Sequence, residues 1–233
     1  MKGILLAAAT AAALVGGGAL ATQIASDVPS AEQRVLHPQR IIIGLDLSRS
    51  NPLIEDPAFA ARVGARVAEI VRKLDFSSEV HVRTFGNYDP SSNTFAYDTV
   101  LSVRSRPEEV AADIQKLIAG TPRLVASGKW RPQSYTNIIA FLDNAVRAFG
   151  CGRMPTTIVL ATDGVEDSDF ARLAHGDHLP APDGRQFRGC DQLLIYGLGQ
   201  GGGSPRLTSR LRGEWTGWAR GAGFRRFQGL NDW

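Results

Sequence analysis

After residue 39, short apolar runs alternate with longer stretches of helical periodicity. The run Arg40–Leu45 is apolar at almost every position, which indicates a strand buried on both faces. Residues 156–161 and 192–198 are predicted to form two further strands. Because strands that alternate with helices assemble into mainly parallel sheets, the sequence predicts an α/β fold. We expect a Rossmann-like, three-layer arrangement with a mostly parallel central sheet and helices on both faces.

The remaining elements are predicted from periodicity and from start signals such as an Asp-Pro pair or a Pro followed by two acids. Further strands are predicted at 79–85, 95–103 and 224–227, and helices at 56–74, 107–118, 136–149 and 207–218. The polar residues 165–189 interrupt this pattern and are interpreted as an insertion without an assigned role. No repeat or boundary divides the core, so one domain is predicted over 39–233.

The chain begins with a segment that is typical of export. Met1–Ala21 has one basic residue, Lys2, then a long uncharged run of Ala, Leu and Gly that ends in A-L-A. This pattern predicts a signal peptide at 1–21, followed by a polar linker at 22–38. The mature protein would be periplasmic or secreted, and the absence of an N-x-S/T sequon agrees with a bacterial periplasm. A retained membrane anchor is the alternative, since the same stretch is barely long enough to cross a bilayer.

Composition excludes two classes of protein. Hydrophobic residues make up 43% of the chain, which is too many for a disordered or fibrous protein. The 26 basic and 23 acidic residues leave a net charge of only +3, so no nucleic-acid partner is predicted.

Two cysteines, Cys151 and Cys190, fit neither a disulfide scaffold nor a paired-Cys zinc pattern. In an exported protein they would meet an oxidising compartment, so we predict a disulfide between them. Two unrelated thiols are the alternative.

Oxygen-bearing side chains follow two predicted strands and precede one predicted helix. The first strand ends in the D-x-S-x-S run of Asp46, Ser48 and Ser50, and the fourth ends in T-D-G with Asp163. Thr136 stands in the loop before the helix at 136–149. In sheets of this type ligands bind outside the carboxyl ends of the strands. Hydroxyls with one or two carboxylates suit Mg²⁺, which prefers oxygen ligands.

These three elements, in this order, resemble the von Willebrand factor type A (vWA) domain with its metal-ion-dependent adhesion site (MIDAS). The resemblance covers roughly residues 39–230. It implies that Ser48, Ser50 and Thr136 bind Mg²⁺ or Mn²⁺ directly and that Asp46 and Asp163 act largely through water. It also implies a vacant coordination position for an acidic side chain of a protein partner.

Several residues have a simpler interpretation than a functional one. The D-x-S-x-S run alone also fits a hydrogen-bonded turn. Two histidines at 175 and 178 are interpreted as part of a solvated loop rather than a metal site, and His81 as structural. Tyr135 stands where the family often has Gly and is expected to narrow access to the metal or contact the partner. Trp215 and Trp218 are expected to be core residues. A solvated basic face is expected at six arginines: Arg206, Arg210, Arg212, Arg220, Arg225 and Arg226. This face gives only weak support for a partner with an acidic or lipid surface.

The function predicted from these features is an exported, metal-dependent adhesion or scaffold module that binds a partner carboxylate. It is not predicted to be an enzyme, because no histidine lies in the predicted strand-end loops and no G-x-S-x-G elbow is present. Two alternatives remain open: a metal-free docking scaffold of the same fold and a Mg²⁺-dependent hydrolase.

Overall fold

A six-stranded sheet forms the centre of the structure. This computed structural model describes residues 35–87, 95–201 and 204–231. The strands are β1 (Arg40–Asp46), β2 (Glu79–Phe85), β3 (Ala96–Val100), β4 (Thr156–Ala161), β5 (Cys190–Tyr196) and β6 (Arg226–Leu230). The helices are α1 (Pro57–Arg72), α2 (Pro107–Ala119), α3 (Thr121–Ala126), α4 (Ile138–Phe149) and α5 (Pro205–Ala222).

The strands lie in the order β3-β2-β1-β4-β5-β6, and all neighbouring pairs are parallel except β2 and β3. After β1 the chain adds β2 and β3 toward one edge of the sheet, and after β4 it adds β5 and β6 toward the other edge. The strand order therefore reverses between β1 and β4, where Leu45 pairs with Ala161. In open α/β sheets the crevice beside such a reversal is where ligands bind.

Helices cover both faces of the sheet, so the predicted three-layer architecture is confirmed. On one face α1 and α2 pack on alternate β1 residues such as Ile41 and Ile43, and on the other α4 and α5 pack around Ile42. This two-sided burial explains the continuous apolar run of β1. Gly44 belongs to the same arrangement, because a Cβ there would lie 2.6 Å from the Phe141 ring of α4.

Several element boundaries differ from the sequence prediction. Helix α4 begins at Ile138 rather than 136, because the Thr136 backbone pairs with Asp167 instead of turning into the helix. Strand β5 runs from 190 to 196 rather than 192 to 198, since Gly197 takes a φ of 109° that ends it. Strand β3 is shorter than predicted, β6 lies at 226–230 instead of 224–227, and α3 was not predicted.

The insertion at 165–189 is packed into the domain. Leu173 and Phe187 are buried in the core on the α4–α5 side, and the Phe187 ring stacks on Phe224. A short 3-10 turn, Leu173–His175, is its only regular element among the described residues. The insertion therefore contributes to the core and not only to the surface.

The predicted signal peptide at 1–21 and most of the predicted linker at 22–38 lie outside the described residues. Leu36–Trp233 forms one compact unit. Within the described part of the chain, none of the helices has the length and apolar character needed to cross a bilayer.

The predicted disulfide is confirmed: Cys151 and Cys190 are bonded, with their Cα atoms 4.9 Å apart. The bond joins the segment that follows α4 to the first residue of β5. Arg40 holds the same end of α4, because its guanidinium donates to the carbonyl oxygens of Phe149 (2.6 Å) and Gly150 (3.1 Å). The carboxyl end of α4 is thus fixed to the sheet both covalently and by hydrogen bonds.

Loss of the disulfide is expected to destabilise the domain by about 2–4 kcal/mol, because the bond closes a loop whose ends are 39 residues apart. Urea unfolding of the wild type with and without dithiothreitol measures this cost. The double variant Cys151→Ala/Cys190→Ala serves as the control, since it should resemble the reduced protein and not respond to the reductant. Equal unfolding midpoints for oxidised and reduced wild type would contradict the prediction.

Candidate functional site

Two buried aspartates mark the edge of the sheet where β1 and β4 end. Asp46 is the last residue of β1, and Asp163 follows β4 by two positions. Their side chains are 0% and 1% exposed. Since the strand order reverses between these two strands, both carboxyls stand at the position where the fold class binds its ligands.

Both carboxylate oxygens of Asp46 are already occupied by donors of the protein. The backbone N–H of Ser48 donates to Oδ1 at 2.8 Å, and the Thr162 hydroxyl donates to Oδ2 at 2.7 Å. The first bond curls the chain after β1 so that Ser48 turns back over the strand end. Asp46 therefore shapes the loop and links it to the end of β4.

Asp163 has one free carboxylate oxygen. The backbone N–H of Val165 donates to Oδ1 at 2.9 Å, while Oδ2 is buried and has no hydrogen-bond partner among the described residues. The buried hydroxyl of Ser48 likewise forms no hydrogen bond of normal geometry there, although it is near enough to the Asp46 carboxyl to lower its pKa. Buried polar atoms are nearly always hydrogen-bonded, so two unsatisfied oxygens at one site require an explanation.

The turn after β5 forms a wall of this site. A Cβ added at Gly201 would lie 2.6 Å from Asp163 Oδ2 and 2.7 Å from the backbone oxygen of Ser50. Only a residue without a side chain fits there without displacing the carboxyl or the loop after β1. The backbone N–H of Gly199 also donates to the Asp163 carbonyl oxygen at 2.7 Å, which fixes the turn in place.

Backbone pairing brings the Thr136 loop to the same edge. The N–H of Gln133 donates to Leu47 O (2.8 Å), and the N–H of Arg49 donates to Gln133 O (3.0 Å). Three residues on, Thr136 and Asp167 exchange two backbone hydrogen bonds of 2.9 and 3.0 Å. The segment from Gln133 to Thr136 thus spans from the loop after β1 to the loop after β4.

The five predicted site residues lie in these three interlocked loops. Asp46, Ser48, Thr136 and Asp163 are buried, and Ser50 is exposed. The Ser50 hydroxyl is near enough to the Asp163 carboxyl to lower its pKa, although it is not aligned for a hydrogen bond with Oδ2. Thr136 lies before α4 and not within its first turn, which corrects the predicted helix start but leaves the residue at the site.

The electrostatic balance of the site is negative. Burial raises the pKa of Asp46 to about 7; the charge of Asp163 adds to the rise, and hydrogen bonds from Thr162 and Ser48 oppose it. Burial also raises the pKa of Asp163, whereas the Val165 N–H and the Ser50 hydroxyl act to lower it. Among the described residues, no lysine or arginine forms an ion pair with either carboxyl. A bound cation would supply the missing positive charge.

Sequence analysis missed two residues of the site. The Asn51 amide donates to the backbone oxygens of Asp46 (2.8 Å) and Ala161 (3.1 Å), and so ties the ends of β1 and β4 together. The buried Glu166 accepts two backbone hydrogen bonds at the start of α4. A signal for the second was available in the sequence, because the helix begins with Ile138-Ile139 and has no acid in its first turn.

The histidines, tryptophans and arginines discussed above contribute no predicted ligand to the site, although the Trp215 indole donates to the carbonyl oxygen of Gly164 at 2.8 Å. In the described part of the chain, no group of three His, Cys, Asp or Glu side chains has the arrangement of a metal site. His178 belongs to no such group, and its exposed side chain is paired with Glu214. His81 stacks on Phe149 with ring centroids 3.9 Å apart, in keeping with a structural role. As predicted, Trp215 and Trp218 are core residues, and most of the six arginines at 206–226 are exposed.

The chain is similar to known proteins only at low sequence identity. No family model matches the sequence, and no curated protein matches it. An aerotolerance-related membrane protein from Bacteroides fragilis is 16% identical, with a TM-score of 0.37, over 69% of this chain and 68% of that one. The conserved hypothetical protein BatB from Bacteroides thetaiotaomicron is 16% identical, with a TM-score of 0.44, over 84% of this chain and 91% of that one. Proximal thread matrix protein 1 from the mussel byssus is 14% identical, with a TM-score of 0.41, over 76% of this chain and 47% of that one. We draw no conclusion about function from similarity at this level.

Without metal, the protein is expected to lose stability as the pH rises from about 5 to about 8. Burial raises the pKa of Asp46 and Glu166 to about 7, so the folded state holds more protons than the unfolded chain in this range. Acids with a lowered pKa, such as Glu79 and Asp98, stay ionised throughout it and do not oppose the trend.

Thermal unfolding in EDTA at about pH 5 and about pH 8 measures this loss of stability. The variant Asp46→Asn, which lacks one of the titrating groups, should show a smaller difference in Tm between them. A wild-type Tm that rises with pH, or a difference unchanged in the variant, would contradict the assignment.

Proposed function

We propose that this protein is a divalent-cation-dependent protein-interaction module of the vWA type, with a MIDAS-like site at the ends of β1 and β4. The observation that carries the proposal is the pair of buried oxygens without hydrogen-bond partners, Ser48 Oγ and Asp163 Oδ2. They lie beside two carboxyls that form no ion pair with a lysine or arginine of the described residues. Mg²⁺ and Mn²⁺ take oxygen ligands of this kind.

The donor set fits a cation held with few direct charges. Ser48, Ser50 and Thr136 would be the direct ligands, and Asp163 would act beside them through water. Asp46 suits an indirect role, because donors of the protein already occupy both of its carboxylate oxygens. When bound, such a cation would supply a positive centre to which a carboxylate of a partner protein can coordinate.

A binding role accounts for the site better than a hydrolytic one. Hydrolysis at a metal needs a general base within hydrogen-bond reach of the attacking water. Among the described residues, no histidine, lysine or cysteine makes a hydrogen bond or an ion pair with Asp46 or Asp163, and the proposal assigns both of these carboxyls to holding the cation. Tyr135 is 47% exposed in the loop beside Thr136, which suits contact with a partner.

Export of the protein is part of the proposal. The Cys151–Cys190 disulfide requires an oxidising compartment to persist, which agrees with the predicted signal peptide.

Mg²⁺ or Mn²⁺ is expected to bind the wild type and raise its Tm, whereas Asp163→Asn and Ser48→Ala should weaken binding by about tenfold or more. Isothermal titration and thermal unfolding measure both effects. Asp113→Asn and Ser209→Ala are matched controls, since both residues are exposed and neither is a proposed ligand. Equal affinity in all five proteins would refute the cation site and leave the metal-free scaffold as the remaining interpretation.

Gly201→Ala should also weaken cation binding, although no proposed ligand is changed. The added Cβ would lie within 3 Å of Asp163 Oδ2 and of a backbone oxygen of Ser50, so the donors must move apart. Gly213→Ala is the matched control, because a Cβ at that helical position meets nothing within 4 Å. If both alanine variants bind Mn²⁺ with wild-type affinity, the turn after β5 does not border the cation.

A further inference from the structure

Helix α4 does not cap its own start. The side chain at its N-cap position, Asn137, donates to the carbonyl oxygen of Gly86 at 2.7 Å and accepts no hydrogen bond from the helix. The first two helical residues, Ile138 and Ile139, are buried and apolar. The N–H groups of a first helical turn have no partner within the helix, and leaving them unsatisfied away from water is costly.

Glu166 provides the missing cap from another segment. Its Oε2 accepts hydrogen bonds from the N–H of Ile138 at 2.8 Å and of Ile139 at 3.2 Å. The side chain is 0% exposed, and an acceptor at this end of a helix also interacts favourably with the helix dipole. The contact joins residues 27 and 28 positions apart in sequence.

Glu166 is itself fixed between two parts of the candidate site. It follows Asp163 by three residues, and the next residue, Asp167, pairs with the Thr136 backbone. The carbonyl oxygen of Glu166 accepts a hydrogen bond from Leu173 at 3.0 Å, which anchors its backbone to the insertion. The capped helix start lies two residues after Thr136, so the Asp167 pairing fixes Thr136 itself and the cap fixes the helix that follows it.

We propose that Glu166 is a positioning residue for the cation site, which fixes the Thr136 hydroxyl relative to Asp163. The inference rests on the proposed function. A Ser or Asp at position 137 would cap α4 equally well but would leave the helix independent of the T-D-G loop. Because Glu166 belongs to that loop, its carboxylate links the two loops that carry Thr136 and Asp163 into one hydrogen-bonded unit.

The surroundings of Glu166 agree with this role. Its second oxygen, Oε1, is buried without a hydrogen-bond partner among the described residues, although the Ser168 hydroxyl is nearby. A buried carboxyl with a spare oxygen is an expensive way to cap a helix, because the group loses its hydration without full compensation. This cost is explained if the cap also organises the neighbouring site.

Three variants and one probe test the inference. Mn²⁺ affinity, followed by electron paramagnetic resonance, is compared in wild type, Glu166→Ala, Glu166→Gln and Asp56→Ala. Asp56 is the matched control, because its carboxylate caps α1 in the same way, with bonds of 2.8 and 3.0 Å to Ala58 and Phe59. Amide hydrogen exchange of the metal-free proteins provides a second readout at Thr136, Ile138 and Ile139.

We expect Glu166→Ala to bind Mn²⁺ about tenfold more weakly and to lose amide protection at the start of α4. Glu166→Gln, whose amide oxygen can still accept both hydrogen bonds, should restore most of the affinity. Asp56→Ala should lower the Tm without changing the affinity.

Different results would overturn different statements. Wild-type affinity in Glu166→Ala would overturn this inference alone, and so would an equal loss in Glu166→Gln, because the charge and not the cap would then be responsible. An equal loss in Asp56→Ala would show that general destabilisation is the cause. No Mn²⁺ binding by the wild type would overturn the proposed function together with this inference.

Discussion

The burial of two carboxyl groups at the reversal of the strand order is the constraint on which the rest of the structure depends. Asp46 and Asp163 are withdrawn from water and close enough for one charge to raise the pKa of the other. Removing such groups from water is costly unless donors or a cation compensate them. The protein supplies donors to three of the four carboxylate oxygens: Ser48 and Thr162 on Asp46, and Val165 on Asp163. The fourth oxygen, Asp163 Oδ2, has no hydrogen-bond partner in the described part of the chain.

Backbone pairing between loops, rather than side-chain packing, holds the surroundings of these carboxyls. The loop after β1 pairs with Gln133, the loop before α4 pairs with Asp167, and the turn after β5 bonds to Asp163. Helix α4 connects this edge of the sheet to the opposite one. Glu166 holds its start, while Arg40 and the disulfide hold its carboxyl end. Both ends of α4 are therefore fixed by residues outside the helix.

Much of the fold was predictable because it follows from local periodicity. The bounds of β2 and β4 agree with the prediction, and β1 differs by one residue at its end. The prediction was poorest where a tertiary contact competes with a local tendency. Thr136 and Asn137 directly precede the apolar residues of α4 in sequence, but pairing with Asp167 and with Gly86 withdraws their backbone from the helix. The insertion was interpreted from its polar composition, because its large buried apolar residues, Leu173 and Phe187, are too far apart to form a pattern.

The sequence by itself determined the layer architecture and the two cysteines that pair, and it predicts the oxygen-bearing side chains of the candidate site, since each depends on residue type and spacing. Only the tertiary structure decided which oxygens remain free, that Gly201 must lack a side chain and that Asn51 and Glu166 belong to the site. These properties arise from contacts between segments far apart in the chain, such as Asn51 with Ala161 and Glu166 with Ile138. Whether a buried polar group finds a hydrogen-bond partner depends on where that partner lies in space. The spacing of residues along one strand or helix does not contain that information.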